Sequence, residues 1–182
     1  MPLLNTITTP YAEAFLQVAS ASKEVDKVVE QAKEVLRLWN DCPDLSQAMS
    51  SPVLEVEAKK DALQKLFGDQ VTPSFLNLLK LLADRQRIGF LDSVLERLLE
   101  LYREQRNIAL ATVTSASALN EGQQADLLTK IQAIAGTDNL ELNLNVDPSL
   151  LGGFVVSVGS KVIDASLAGQ VRRLGLSLAK VT

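Results

Sequence analysis

The feature that most constrains this chain is a change in the period of its apolar residues near residue 106. Before that point apolar side chains recur every three to four residues, the repeat of an amphipathic helix. After it they alternate, the repeat of a half-buried strand. Charge divides at the same place: residues 1–105 carry 12 basic and 16 acidic side chains, residues 106–182 carry 6 of each. The expected class is mainly α: a six-helix bundle over residues 1–106, then a small α+β domain over residues 107–182 in the order strand-helix-strand-strand-helix. A domain of that second size has a marginal core on its own.

In the first part, Thr9-Pro10 reads as an N-cap followed by proline at the first helical position. Tyr11, Ala14, Phe15, Val18 and Ala19 then form one stripe. Ser22 begins a second helix, with Val25, Val28, Val29, Ala32, Val35, Leu36 and Trp39 along one face and Cys42-Pro43 ending it. A short helix over Asp44–Met49 precedes a fourth from about Leu54 to Phe67, where Leu63, Leu66 and Phe67 share a face and Gly68 stops it. Thr72-Pro73 opens a fifth helix, on which Phe75, Leu76, Leu78, Leu79, Leu81 and Leu82 cover most of the circumference. Such a helix is buried on more than one side. After the charged break at residues 84–87, Leu91, Val94, Leu95, Leu98, Leu99 and Tyr102 define a sixth helix ending near Asn107.

In the second part, Ile108–Thr114 is β-rich, and Leu140, Leu142, Leu144 and Val146 alternate with polar residues as a half-buried strand. Between them Asn120 caps a helix with Leu127, Leu128, Ile131 and Ile134 on one face. Gly159-Ser160 between two β-rich runs predicts a two-residue hairpin. That register puts Phe154, Val156, Val158 and Ile163 on one face, and Val155, Ser157, Val162 and Asp164 on the other. Ser166 caps a last helix with Leu167, Val171, Leu174 and Leu178 inward.

The absence of histidine excludes Ser-His-Asp and Cys-His nucleophiles and every histidine-bearing zinc or haem site. The single Cys42 cannot form an internal disulfide. The net charge of −4 argues against nucleic acid as a partner. No apolar run reaches the ~18–20 residues of a membrane span, and the N-terminus has neither a signal peptide nor an Arg-rich import segment. Any membrane association is expected through another protein, and no catalytic residue, cofactor or metal ligand is expected.

Each candidate site has a plain structural reading beside a functional one. Gly152-Gly153 precedes a strand rather than a helix, so it reads as a tight backbone approach and not a phosphate loop. Arg172, Arg173 and Lys180 read as complements to a helix C-terminal dipole, or as a contact for an acidic partner helix. The stripe of Tyr11, Ala14, Phe15 and Val18 reads as core packing, or as one wall of a groove. The small Ala12 and Ala14, and the surplus of apolar faces on the fifth helix, suit a groove between the first and fifth helices that receives an amphipathic helix.

Three segments carry a resemblance. TPYAEAF, FLNLLKLLADRQRIGFL and above all DPSLLGGFVVSVGSKVIDASLAGQVRRL resemble the delta subunit of F-type ATP synthases, the family of the oligomycin-sensitivity-conferring protein. The resemblance spans the whole chain in order. It implies a non-catalytic stator component that links the catalytic head of a rotary, proton-translocating ATP synthase to the peripheral stalk. It implies that the N-terminal helix of an alpha subunit lies between helices one and five, at Tyr11, Ala14 and Phe15 with Leu78 and Leu81 opposite; Val18 continues that wall. It further implies that b-type stalk subunits hold the C-terminal domain, where Val155, Val162, Arg172 and Arg173 are the contact candidates. The expected location is peripheral to an energy-transducing membrane, bacterial plasma or thylakoid, on the side of the catalytic head. The competing expectations are a helical adaptor outside the ATP synthase and a small-molecule-binding α+β domain, which would need a polar pocket with convergent groups.

Overall fold

A computed structural model describes residues 2–117, 120–135, 139–150, 152–159 and 161–179. The chain is mainly helical, with eight α-helices and one four-stranded sheet among the described residues. It divides into two compact units, Met1–Glu104 and Gln105–Thr182.

The first unit contains α1 (Pro2–Ala21), α2 (Val25–Asp41), α3 (Pro43–Ser50), α4 (Val56–Phe67), α5 (Pro73–Asp84) and most of α6 (Leu91–Arg106). A 3-10 turn, Ile88–Phe90, leads into α6. One apolar core joins them: Ala12, Phe15, Leu16 and Ala19 from α1 meet Val28, Ala32 and Val35 from α2, Leu63 from α4, Phe75, Leu79 and Leu82 from α5, and Leu91, Leu95 and Leu98 from α6. With few aromatics available, leucine is the commonest residue in this core, and each fully buried leucine contributes roughly 1.5–3 kcal/mol. Polar ties set the connections. Gln31 Oε1 accepts from both the Thr72 backbone N–H (3.0 Å) and the Thr72 hydroxyl (3.1 Å), fixing the start of α5 against α2.

Several helix boundaries depart from the sequence reading, each for a local reason. Pro10 lies inside α1 and does not start it. Its φ suits a helix, although its ring removes the hydrogen bond to the residue four back and crowds that carbonyl; Thr8, two residues before it, is buried. Ser22 does not begin α2 either. Its hydroxyl donates back to the carbonyls of Val18 (3.0 Å) and Ala19 (3.2 Å), closing the end of α1, and Lys23 turns the chain in the left-handed region at φ 58°. Thr72 stands at the N-cap of α5, but its hydroxyl bonds Gln31 and Ser74, not the helix backbone. Gly68 ends α4 with a right-handed φ of −54°. Small size is what matters there, because an added Cβ would collide with the Gln64 carbonyl. Leu66 is exposed, while Leu63 and Phe67 carry the buried face of α4.

The second unit holds β1 (Ala109–Ser115), α7 (Glu121–Ala135), β2 (Leu140–Val146), β3 (Phe154–Val158), β4 (Lys161–Asp164) and α8 (Leu167–Ala179). The sheet order is β2-β1-β3-β4. β1 and β2 are parallel, as a strand-helix-strand crossover requires, and the remaining pairs are antiparallel. Asn120 and Gln123 form a reciprocal cap on α7: Asn120 Oδ1 accepts from Gln123 N–H at 2.8 Å, and Gln123 Oε1 accepts from Asn120 N–H at 3.1 Å.

The hairpin register matches the sequence reading. Val156 pairs with Ile163 and Val158 with Lys161. Phe154, Val156, Val158 and Ile163 join Ala111, Val113, Leu127 and Ile131 in a second apolar core. Leu140 and Leu142 pack against that core, whereas Leu144 and Val146 at the far end of β2 are exposed and not half-buried. The buried α7 residues reach only the first half of this edge strand.

Leu167 and Val171 are also exposed, 51% and 68%, and so do not face inward. Polar bonds tie down the start of α8 instead. Ser166 donates from its hydroxyl (2.6 Å) and its N–H (3.0 Å) to Asp164 Oδ1, and its hydroxyl accepts from Gly169 N–H at 3.0 Å. The side chains of Ile134, Leu174 and Leu178, and Lys180 as a whole, lie outside the described residues.

The Gly152-Gly153 pair provides a close backbone approach. Gly153 has φ 79°, and a Cβ there would collide with the Ala165 carbonyl. Ala165 N–H donates to Phe154 O at 3.0 Å and Leu167 N–H to Gly152 O at 3.0 Å.

The bonds from Ser166, with the Arg172 and Arg173 charges behind them, hold the Asp164 carboxyl below its ordinary 3.8. A carboxyl lowered on folding contributes stability above its unfolded pKa and loses it as the pH falls through the folded value. Acid titration of the second unit therefore shows a fall in melting temperature below about pH 4. Asp164→Asn weakens that fall and lowers the melting temperature at neutral pH. Calorimetric scans of both proteins across pH 2–7 check it.

Candidate functional site

The site is a groove between α1 and α5. Both helices present the same spacing to it: Tyr11, Ala14, Phe15 and Val18 on α1, Ser74, Asn77, Leu78 and Leu81 on α5, each at i, i+3, i+4 and i+7. Residues so spaced lie on one face of a helix, so each helix gives the groove one wall. Pro10 closes the lining, and the groove holds about 470 Å³.

Burial separates floor from rim. Phe15 and Leu78 are buried and form the floor. Phe15 packs edge-to-face on Phe75, with ring centroids 5.5 Å apart at 84°. Ala14 is exposed, Val18 is 52% exposed and Leu81 43% exposed. These are apolar side chains with solvent where a neighbour would be. The core-facing side of α1 is the adjacent set Ala12, Phe15, Leu16 and Ala19. The predicted stripe therefore straddles core and groove, with Phe15 and Ala19 shared with the interior and Tyr11, Ala14 and Val18 turned outward.

One end of the groove is polar. Arg87 Nη1 donates to the Tyr11 hydroxyl at 2.8 Å, and its guanidinium carbon sits 5.7 Å from the ring centroid. The pair holds the Tyr11 ring in place with a hydrogen bond and a cation–π contact together. Arg87, Pro10, Ser74 and Asn77 escaped the sequence reading. The last two could have been found by continuing the Leu78–Leu81 spacing one turn back.

The groove's chemistry is limited. Among the described residues Tyr11 is its only titratable lining residue, and no carboxylate, lysine or thiol lines it. Among the described residues no three His, Cys, Asp or Glu side chains gather to hold a metal ion. A surface of this kind can bind an apolar helix face.

The tentative second set is dispersed. Val155 is half-buried opposite Asp164, and Val162 is exposed opposite Ser157, on the sheet face away from the core. Arg172 and Arg173 lie in the middle of α8 and reach back toward its start, not forward to its C-terminal dipole. Arg173 Nη2 donates to Asp164 O at 2.8 Å, and Arg172 Nη2 lies 3.4 Å from Asp164 Oδ2.

Residues 7–178 match the family described as ATP synthase delta (OSCP) subunit. The chain belongs to that family. ATP synthase subunit delta of Prochlorococcus marinus (strain MIT 9303) is 80% identical over 182 residues, covering all of both chains. The organellar chromatophore ATP synthase subunit delta of Paulinella chromatophora is 64% identical over 181 residues, again across both full chains. A chain of the Toxoplasma gondii mitochondrial ATP synthase hexamer shares the fold, with a TM-score of 0.70 at 20% identity, covering 93% of this chain and 96% of that one. The protein is thus a stator component of a rotary ATP synthase and a structural, non-catalytic subunit of it. Among the described residues no helix is long and apolar enough to cross a membrane.

Proposed function

We propose that the groove between α1 and α5 holds the N-terminal helix of an alpha subunit of the catalytic head, while the second unit holds b-type subunits of the peripheral stalk. The observation that carries this reading is an apolar groove open to solvent, with Tyr11, Ala14, Val18 and Leu81 along its rim and Phe15 and Leu78 as its buried floor. In this reading residues 1–106 act as a six-helix bundle seated on the head, and residues 107–182 as the stalk-binding domain. Val155, Val162, Arg172 and Arg173 are its contact candidates; Arg172 has most of its side chain in solvent. The protein sits on the head side of a thylakoid or bacterial plasma membrane, attached only through its partners.

The mechanical requirement follows from rotation. The turning shaft exerts torque on the head, and a head free to follow the rotor makes no ATP. The link must dissociate slowly under load. A nanomolar contact corresponds to about −12 kcal/mol, and a few buried aromatic anchors can dominate one. Phe15 and Tyr11 are those anchors. Burial of an apolar helix face also predicts a negative heat-capacity change on binding.

The two units have separate apolar cores, so their tasks separate. A chain ending at Glu104, the limit of the first unit, still pulls down the catalytic head and no longer pulls down the stalk subunits. Retention of stalk binding by that shortened chain contradicts the assignment, as does loss of head binding while its helical circular dichroism is preserved.

A further inference from the structure

We infer that Arg87 is a positioning residue for the α1–α5 groove: acting through Tyr11, it holds that ring ready at the rim and so raises affinity for the partner helix. The inference rests on the reading of the groove as a helix site and adds to it a residue that does not line it.

Tyr11 and Arg87 stand 76 positions apart in sequence, and the fold brings them together. Tyr11 lies at the start of the α1 wall, and Arg87 follows the end of α5 by three residues. The turn that carries Arg87 is pinned on both sides. Gln86 takes the left-handed conformation at φ 53°, the Arg87 N–H donates to Leu82 O at 2.7 Å, and Arg87 O accepts from Phe90 N–H at 3.0 Å. Ile88, next in the chain, is buried in the first core. The arginine thus reaches α1 from a fixed base, with Nη1 2.8 Å from the Tyr11 hydroxyl and the guanidinium carbon 5.7 Å from the ring centroid. The opposite end of the groove has no such clasp: Val18 lies open, and the Ser74 hydroxyl meets Thr72 of its own segment.

Two physical effects make this pair matter for binding more than for folding. A rim tyrosine left unheld keeps two free torsions, and a docking helix would have to order them at a cost in affinity. Arg87 has done that ordering beforehand. A docked helix also excludes water from the pair, and a cation over an aromatic face is worth more once desolvated. Arg87 itself is exposed, so its removal leaves the core intact.

Titration calorimetry of the full chain with a synthetic alpha N-terminal helix tests the inference through a double-mutant cycle. Arg87→Met, which keeps the stem and removes the cation, is expected to weaken binding about three- to ten-fold, the range for ordering one side chain, with the melting temperature of the first unit unchanged. In a Tyr11→Leu background the same change is expected to cost less than about two-fold, because the ring it acts through is gone. Arg87→Lys, still a cation and a donor, recovers part of the loss. Arg85→Met, an equal change of charge two residues earlier, leaves affinity as it was. An equal loss from Arg87→Met with and without the Tyr11 ring overturns the inference, as that pattern means direct contact with the guest. Unchanged affinity in Arg87→Met, or a fall in melting temperature that accounts for the lost affinity, overturns it too. Should Tyr11→Leu fail to fold, Tyr11→Phe, which keeps the ring and deletes the hydroxyl, replaces it in the cycle, and strict additivity there is the overturning result. If Ala14→Glu weakens binding while Arg87→Met does not, this inference alone falls; if Ala14→Glu also binds normally, the groove reading falls with it.

Discussion

With the alpha-subunit N-terminal helix seated in the groove as proposed, the Ala14→Glu protein is expected to bind it at least about 30-fold more weakly than the unaltered chain, a loss of roughly 2 kcal/mol or more, the scale of an interface hot spot. Ala14 is exposed and central to the α1 wall, so the substitution asks nothing of the core. It places a longer, charged side chain where an apolar helix backbone would lie. Among the described residues no cation lines the groove, Arg87 at its end being held by the Tyr11 hydroxyl, and docking would desolvate the carboxylate. Melting temperature should hardly change, because alanine and glutamate are both good helix formers. Titration calorimetry against a synthetic alpha N-terminal helix measures the loss. Unchanged affinity with the fold intact would place the helix elsewhere.

Phe75→Ala, which removes the largest fully buried side chain among the described residues, costs about 3–5 kcal/mol. Phe75 is fully buried on α5 and carries the edge-to-face contact with Phe15. Removing it opens a cavity beneath the groove floor, so stability and helix binding fall together. At roughly 4–8 °C per kcal/mol for a unit of this size, the transition of the first unit drops by tens of degrees. The second unit, with its own core, keeps its transition. Phe75→Leu leaves less empty volume and costs less. Differential scanning calorimetry resolves the two transitions, and a loss in the second alone would contradict the assignment of Phe75 to the first core.

Much of this was legible in the sequence, because period and capping are local properties. The spacing of Leu91, Val94, Leu95 and Leu98 marks α6 on its own, and each of these residues is buried. The two-residue turn after Val158 set the β3–β4 register without reference to any other strand. The Asn120 cap required only Gln123, three residues on. The apolar spacing of Tyr11, Ala14, Phe15 and Val18 likewise marks the α1 wall, and Leu78 with Leu81 the apolar part of the α5 wall, whereas polar Ser74 and Asn77 carried no such signal.

Tertiary structure decided what competing local signals left open. Pro10 and Ser22 each carry a start-of-helix signal, yet one lies within α1 and the other closes it by a bond back to Val18, so two local signals at one residue left the boundary open. α1 is apolar on two adjacent sides, and periodicity cannot say which side a neighbouring helix covers. Here α5 meets Phe15 through Phe75 and leaves Ala14 and Val18 in solvent, because one helix can screen only part of another's circumference. The same limit explains Leu144, Val146, Leu167 and Val171: their spacing promised burial, but burial depends on what lies opposite, a property of the assembled chain that no stretch of sequence contains.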